Sequence, residues 1–206
     1  MDDDADVTRN EPRSPTPRRI RIHGTSGSGK TTLARQVAAR TGLVRIELDE
    51  VFWDVGWQQK HPDAGRAILR ARLAAAEDGP GWVVDGNWQS KVLDLLDDAD
   101  TIVCLDLPRR TVMRRIVTRT IARGITRRPL WHGNRESLTN LVRREPEDNI
   151  VLWSWRTWAG NRARWDALEA SGAPVVRLRT PREVRAWVNS LPRARDLPTV
   201  RDLPTD

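Results

Sequence analysis

Residues 24 to 31 read Gly-Thr-Ser-Gly-Ser-Gly-Lys-Thr, a complete GxxxxGK[ST] spacing set between an apolar run, Arg19 to His23, and a helical pattern over about 30 to 41. Glycines at 24, 27 and 29 let the backbone curl with its N–H groups turned inward. The start of the following helix adds its partial positive charge at the same point. Together these features ask for a phosphate chain. Lys30 would reach the β- and γ-phosphates and the Thr31 hydroxyl would coordinate Mg²⁺, with Gly24, Ser26, Gly27, Ser28, Gly29 and Thr32 completing the nucleotide-binding set. The alternative is a merely flexible Gly/Ser turn.

The rest of the chain repeats this strand-to-helix rhythm. Short apolar runs at 19–23, 44–48, 82–84, 101–105 and 175–178 predict five strands. Helical patterns separate them at about 30–41, 63–78, 90–98, 109–123, 149–170 and 181–191. Alternation of this kind predicts an α/β fold with right-handed crossovers and a parallel sheet covered on both faces. The loop-rich stretch from about 124 to 149, with Pro129, Gly133 and Pro146, interrupts the rhythm and reads as a lid. Residues 1–18 read as a disordered leader, and 192–206, where Arg-Asp-Leu-Pro-Thr occurs twice, as a disordered tail. One domain over 19–191 is the expectation.

Composition narrows the class of partner. The 206 residues carry 35 Lys+Arg against 28 Asp+Glu, a formal charge of +7, which admits nucleotides, nucleic acid, phosphorylated metabolites or a membrane surface. Lys30, Lys60 and Lys91 are the only lysines. The arginine surplus offers bidentate forks for phosphate, or reflects a general leaning toward arginine codons. Cys104 is the single cysteine, so no internal disulfide and no multi-thiolate zinc site can form. With no apolar stretch near the roughly 18 residues of a membrane span and no secretory leader, a cytoplasmic setting is expected.

Position singles out the remaining site candidates. Trp82-Val83-Val84-Asp85-Gly86-Asn87 ends a buried-looking strand in a carboxylate. Asp85 either holds Mg²⁺ beside the phosphate loop or forms a turn before glycine. Asp49 ends the second strand, where an open α/β sheet binds ligands, and a carboxylate there suits a hydroxyl acceptor whose proton it could take. A helix N-cap is its other reading. Trp53 and Trp57 floor a pocket or pack in the core. After strand four, Arg115, Arg119 and Arg123 recur every fourth residue on one helical face, candidate clamps on a transferring phosphoryl group, while Arg109, Arg110 and Arg114 read as a solvated face. Trp155, Trp158, Trp165 and Leu168 share a face that reads as core, with a stacking surface as the alternative. His23, His61 and His132 lack the partners of a metal site, so no catalytic histidine is assigned.

In combination, GTSGSGKTTLA (24–34), LDEVFWDVGW (48–57), WVVDGNW (82–88), TIVCLDLPRRTVMRRIVTR (101–119) and RRPLWHGNRESL (127–138) resemble the FlaR-type topology modulation proteins, which are similar to adenylate kinase. The resemblance covers about residues 19 to 190. It implies a P-loop NTPase three-layer sandwich, with a five-stranded parallel sheet in order 2-3-1-4-5 and a lid inserted after strand 4. It further implies an ATP- and Mg²⁺-dependent kinase in which Lys30, Asp85 and Arg119 carry catalysis, Thr31 and Asp85 hold the metal, and Arg115, Arg119 and Arg123 face the nucleotide; Asp49, read from its place at a strand end, joins the catalytic set. The partners would be a nucleotide and a small-molecule acceptor. An ATP-binding regulator acting on DNA topology is the alternative. Two departures stand out: Asn87, Trp88 and Gln89 occupy the places of the Phe-Pro-Arg that follows DG in adenylate kinases, and Trp88 replaces a usual tyrosine with loss of a hydroxyl contact.

Overall fold

The computed structural model of the chain describes residues 16–136 and 149–196. Five strands, β1 (Arg19–Gly24), β2 (Val44–Glu47), β3 (Trp82–Asp85), β4 (Thr101–Leu105) and β5 (Val175–Leu178), form one sheet in the order β2-β3-β1-β4-β5. Every pairing is parallel. Strand alternation sends Trp82 and Val84 to one face and Val83 to the other, so β3 is apolar on both sides, as a doubly covered sheet demands. On the first face, α2 (Leu48–Phe52), α3 (Pro62–Glu77) and α4 (Gln89–Val92) contribute Phe52, Leu69 and Val92. On the second, α1 (Lys30–Thr41) and α7 (Pro181–Ser190) contribute Leu33, Val37 and Val184. Helices α5 (Arg109–Thr126) and α6 (Ile150–Ala170) pack on each other beside the phosphate loop.

The predicted α/β sandwich with order 2-3-1-4-5 is therefore the observed one. Three boundaries differ. Strand β2 stops at Glu47 and Leu48 opens α2, because Asp49 and Glu50 place acidic side chains in a first helical turn, where the backbone dipole favours them. The helix expected over 90–98 is a single turn, α4, followed by a 3₁₀ turn at Leu93–Leu95. Helix α5 runs three residues past its predicted end at 123, to Thr126, into the expected lid. Of the lid, a 3₁₀ turn at Trp131–Gly133 is described, while 137–148 lie outside the described residues, as do 1–15 of the leader and 197–206 of the tail.

Parallel register assembles the site. Asp85 pairs with Glu47 on one side and with Ile22 on the other, and Gly24 pairs with Leu105. The carboxyl ends of β1, β2, β3 and β4 therefore open on one edge of the sheet, above the start of α1.

Candidate active site

The phosphate loop forms as its glycines dictate. Gly29 adopts φ +104° immediately before α1, and Gly27 adopts φ +87° so close to α5 that a Cβ would sit 2.8 Å from Ile116 Cβ. Left-handed backbone and lack of space both select glycine there. Between them the Ser28 N–H donates to Thr25 O at 3.0 Å. Lys30 folds across the loop and donates from Nζ to Gly24 O (2.7 Å) and Thr25 O (3.3 Å). Burial pushes its pKa down to about 8 against the pull of Asp49 and Asp85. Thr32 lies exposed in the first turn of α1.

Thr31 and Asp85 meet: the Thr31 hydroxyl donates to Asp85 Oδ2 at 2.7 Å. Asp85 is buried, which pushes its pKa up to about 6. Its Oδ1 accepts no hydrogen bond, although Arg45 Nε lies 3.4 Å away. Glu47 stands next to it, 3.5 Å from Thr31 Oγ1 and bonded to Arg45. A hydroxyl and a buried carboxylate with an unbonded oxygen are hard donors of the kind Mg²⁺ prefers, and the residues present fit that ion. Among the described residues, no group of three or more His, Cys, Asp or Glu converges as a closed metal cage. Mg²⁺ does not need one, since it keeps waters and takes substrate phosphates.

The arginines of α5 meet different partners. Arg115 Nη1 donates to Ser28 O at 3.0 Å, bracing the loop. Arg119 is lowered from the usual guanidinium pKa by burial and by Arg123, and its Nε is buried without a hydrogen-bond partner. Arg123 pairs with Glu136 at 2.7 Å. Arg110 and Arg114 are exposed. Arg109 departs from the predicted solvated face: its guanidinium carbon lies 3.3 Å from the ring centre of Trp155 and Nη2 donates to the Trp155 carbonyl. The tryptophans of α6 depart correspondingly from the core reading. Trp165 is buried, but Trp155 is 50% exposed.

At the end of β2, Asp49 is not an N-cap; Glu47 holds that place. The Asp49 carboxylate accepts at Oδ1 from the Trp88 indole N–H at 2.8 Å and feels the charges of Lys30 and Arg119. Burial raises its pKa. Trp88 stacks on buried Phe52 (5.0 Å) and meets Trp53 edge-on (5.2 Å). Trp53 meets Trp57 (5.7 Å), and Trp57 meets Trp131 (6.2 Å). Trp53 and Trp57 are both partly exposed, so neither is fully packed in the core. Trp88, read from sequence as a loss, supplies a donor of its own.

Two sets of ties were invisible in the motifs. From α6, Ser154 Oγ donates to Ser26 O (2.8 Å) and Asn161 Nδ2 donates to Thr25 Oγ1 (3.2 Å). From the start of the lid, Asn134 accepts from Trp57 N (3.1 Å) and donates to Asp54 O (2.7 Å), and His132 Nε2 meets Glu50 O at 3.0 Å. His23 is buried and His61 pairs with exposed Asp63. Neither histidine joins the site.

A glycine-wrapped loop between β1 and α1, with a strand-end carboxylate from β3 on its threonine, defines a P-loop protein of the nucleotide-kinase-like kind. A family model described as an AAA domain matches residues 20–140, over half of the chain, and the chain belongs to that family. It is 27% identical over 115 residues to a cytidylate kinase of Pyrococcus horikoshii, covering 48% of this chain and 56% of that protein. It is 39% identical over 57 residues to a cytidylate kinase of Nitratidesulfovibrio vulgaris, covering 27% of this chain and 25% of that protein. The chain thus spans about half or less of the length of these curated relatives. Among solved structures, a deoxyadenosine kinase from M. mycoides with dCMP and dCDP bound aligns at TM-score 0.48 and 14% identity, over 84% of this chain and 97% of that one.

Proposed function

We propose that this protein is an ATP- and Mg²⁺-dependent phosphotransferase that moves the γ-phosphoryl group to a small acceptor in the crevice beside Asp49. The observation that carries this reading is the Thr31–Asp85 hydrogen bond of 2.7 Å at the mouth of the phosphate loop, with the charges of Asp49 and Asp85 acting on Lys30 beside it. The matched AAA family, the cytidylate kinase relatives and the motif resemblance to FlaR-type proteins support the same chemistry.

Catalysis is positional and electrostatic. The N–H groups of Gly24 to Thr31 cradle the donor phosphates, and Lys30 leaves its carbonyl partners to bind the β- and γ-oxygens. Thr31 and Asp85 hold Mg²⁺, which when bound neutralises charge on the donor. Arg119, partly buried and with a buried, unbonded Nε, spreads the charge of the transferring group, while Arg115 and Arg123 flank it. Asp49 orients the acceptor.

The test is isothermal calorimetry of Mg-ATP and ATP turnover on the full chain and on Lys30→Ala. Micromolar-range binding is expected for the wild type. The variant should keep the melting temperature and lose turnover by 100-fold or more. Full activity in Lys30→Ala, or no heat with Mg-ATP in the wild type, would refute the reading.

A further inference from the structure

We infer that the acceptor is a hydroxyl compound built on a planar ring system and carrying no phosphate of its own, as a nucleoside does. This rests on the phosphotransfer reading and names the substrate class of the same site.

The first argument is charge. An acceptor that brought its own phosphate would need a cation, best a bidentate guanidinium, on the acceptor side. Among the described residues, most cations near the tryptophans are already paired with a partner, and exposed Arg135, whose carbonyl accepts from the Trp57 indole, donates to the Arg127 carbonyl. Lys60 pairs with Asp54 at 2.6 Å, Arg72 with Glu50 at 3.1 Å and Arg123 with Glu136 at 2.7 Å. Arg66 grips Asp94 through both of its terminal nitrogens. Lys91 donates to Gln59 and lies 4.7 Å over the Trp88 ring. Lys30 and Arg119, whose charges act on Asp49, are assigned to the transferred group. Asp49 itself presents a negative charge at the point where a second anion would arrive.

The second argument is shape. Trp53, Trp57, Trp88 and Trp131 pack edge-to-face at 5.2–6.2 Å and each is partly exposed. Rings packed this way turn faces and edges toward the space they border, a surface that takes a flat ring by stacking. Trp88 occupies Oδ1 of Asp49, and no described residue donates to Oδ2, which is left for a hydroxyl. In the step itself the acceptor oxygen forms a bond to the γ-phosphorus. The bond from that phosphorus to the β,γ-bridging oxygen breaks, and its electron pair leaves with ADP. The hydroxyl proton passes to Asp49 and from there to water.

The experiment measures ADP release by the full chain with Mg-ATP and three sets of acceptor: ribo- and deoxyribonucleosides, their 5′-monophosphates, and aliphatic sugars and polyols. At least one nucleoside should show kcat/KM 100-fold above both its monophosphate and every sugar. A monophosphate or sugar that does as well, or no acceptor above the rate with water alone, overturns the inference. Calorimetry with a non-hydrolysable ATP analogue on the same preparation separates the failures: absent binding sinks the phosphotransfer reading, whereas intact binding with monophosphate preference sinks only the acceptor class. Asp49→Asn should lower kcat for the nucleoside at least 100-fold with analogue binding within twofold of wild type, and an unchanged kcat would also count against it. Trp53→Leu, a second variant, should raise the nucleoside KM about tenfold, and an unmoved KM removes the stacking argument.

Discussion

The indole N–H of Trp88 points at Oδ1 of Asp49 from 2.8 Å, so an aromatic ring following the DG turn holds the carboxylate proposed to orient the acceptor. Burial raises the Asp49 pKa, and the Trp88 bond and Lys30 pull it back. A hydrogen bond to a charged group favours the ionised form, so its loss raises the pKa further. Trp88→Phe keeps the stack on Phe52 and deletes the donor. In the proposed step Asp49 takes a proton and must be ionised, so the acid limb of the pH–rate profile should move to higher pH. An unmoved limb would mean that Trp88 does no more than pack.

Asn134 is buried and bonds Trp57 N and Asp54 O, and Trp57 itself sits at φ +58°. A left-handed backbone at a bulky residue is strained and needs such a holder. Asn134→Ala leaves an N–H and a carbonyl without partners at a cost of about 1–3 kcal/mol. For a domain of this size the melting temperature should fall by roughly 2–10 °C, with a red shift of tryptophan emission. Asn134→Asp, which still accepts from Trp57, should recover part of both.

Burial, reinforced by Arg21 and Lys30, takes His23 from its ordinary pKa of 6.5 down to about 3. The unfolded chain protonates this ring near pH 6.5 while the folded chain does not, so the associated stability is complete above that pH. It is lost as pH falls from about 6.5 toward about 3, with a slope approaching one proton per molecule. Denaturant titrations at pH 7, 5 and 4 on wild type and His23→Gln should diverge in that window. Parallel curves would contradict the burial of a neutral ring.

Cys104 lies buried in β4, and burial pushes its thiol up to about 12. The thiolate is the reactive form. Maleimide at pH 8 should therefore leave the folded protein unmodified over hours and label it fully in denaturant, which makes this side chain a reporter of global opening.

How much of the site could be read from sequence follows from how local each contact is. Lys30 and Thr31 belong to a contiguous loop whose chemistry is written in consecutive letters, and Asp85 ends an apolar run. The arginine ladder was legible because helical period alone puts 115, 119 and 123 on one side. Glu47 entered the site only through its parallel register with Asp85, which no spacing reveals. Trp88 reached Asp49 across 39 positions and Ser154 reached Ser26 across 128. The tryptophans of α6 look like core by periodicity, yet Arg109 caps Trp155 from outside and leaves it half in water. Helical period describes one helix, not the neighbour it meets.

Ser154 and Asn161 fasten the turn that starts at Gly24 to a helix made more than a hundred residues later. During synthesis the glycine-rich segment therefore emerges long before its braces exist, and a fragment ending where the AAA match ends, at 140, would lack both. Competence to hold a triphosphate would then arrive late and all at once, as the final third of the polypeptide docks.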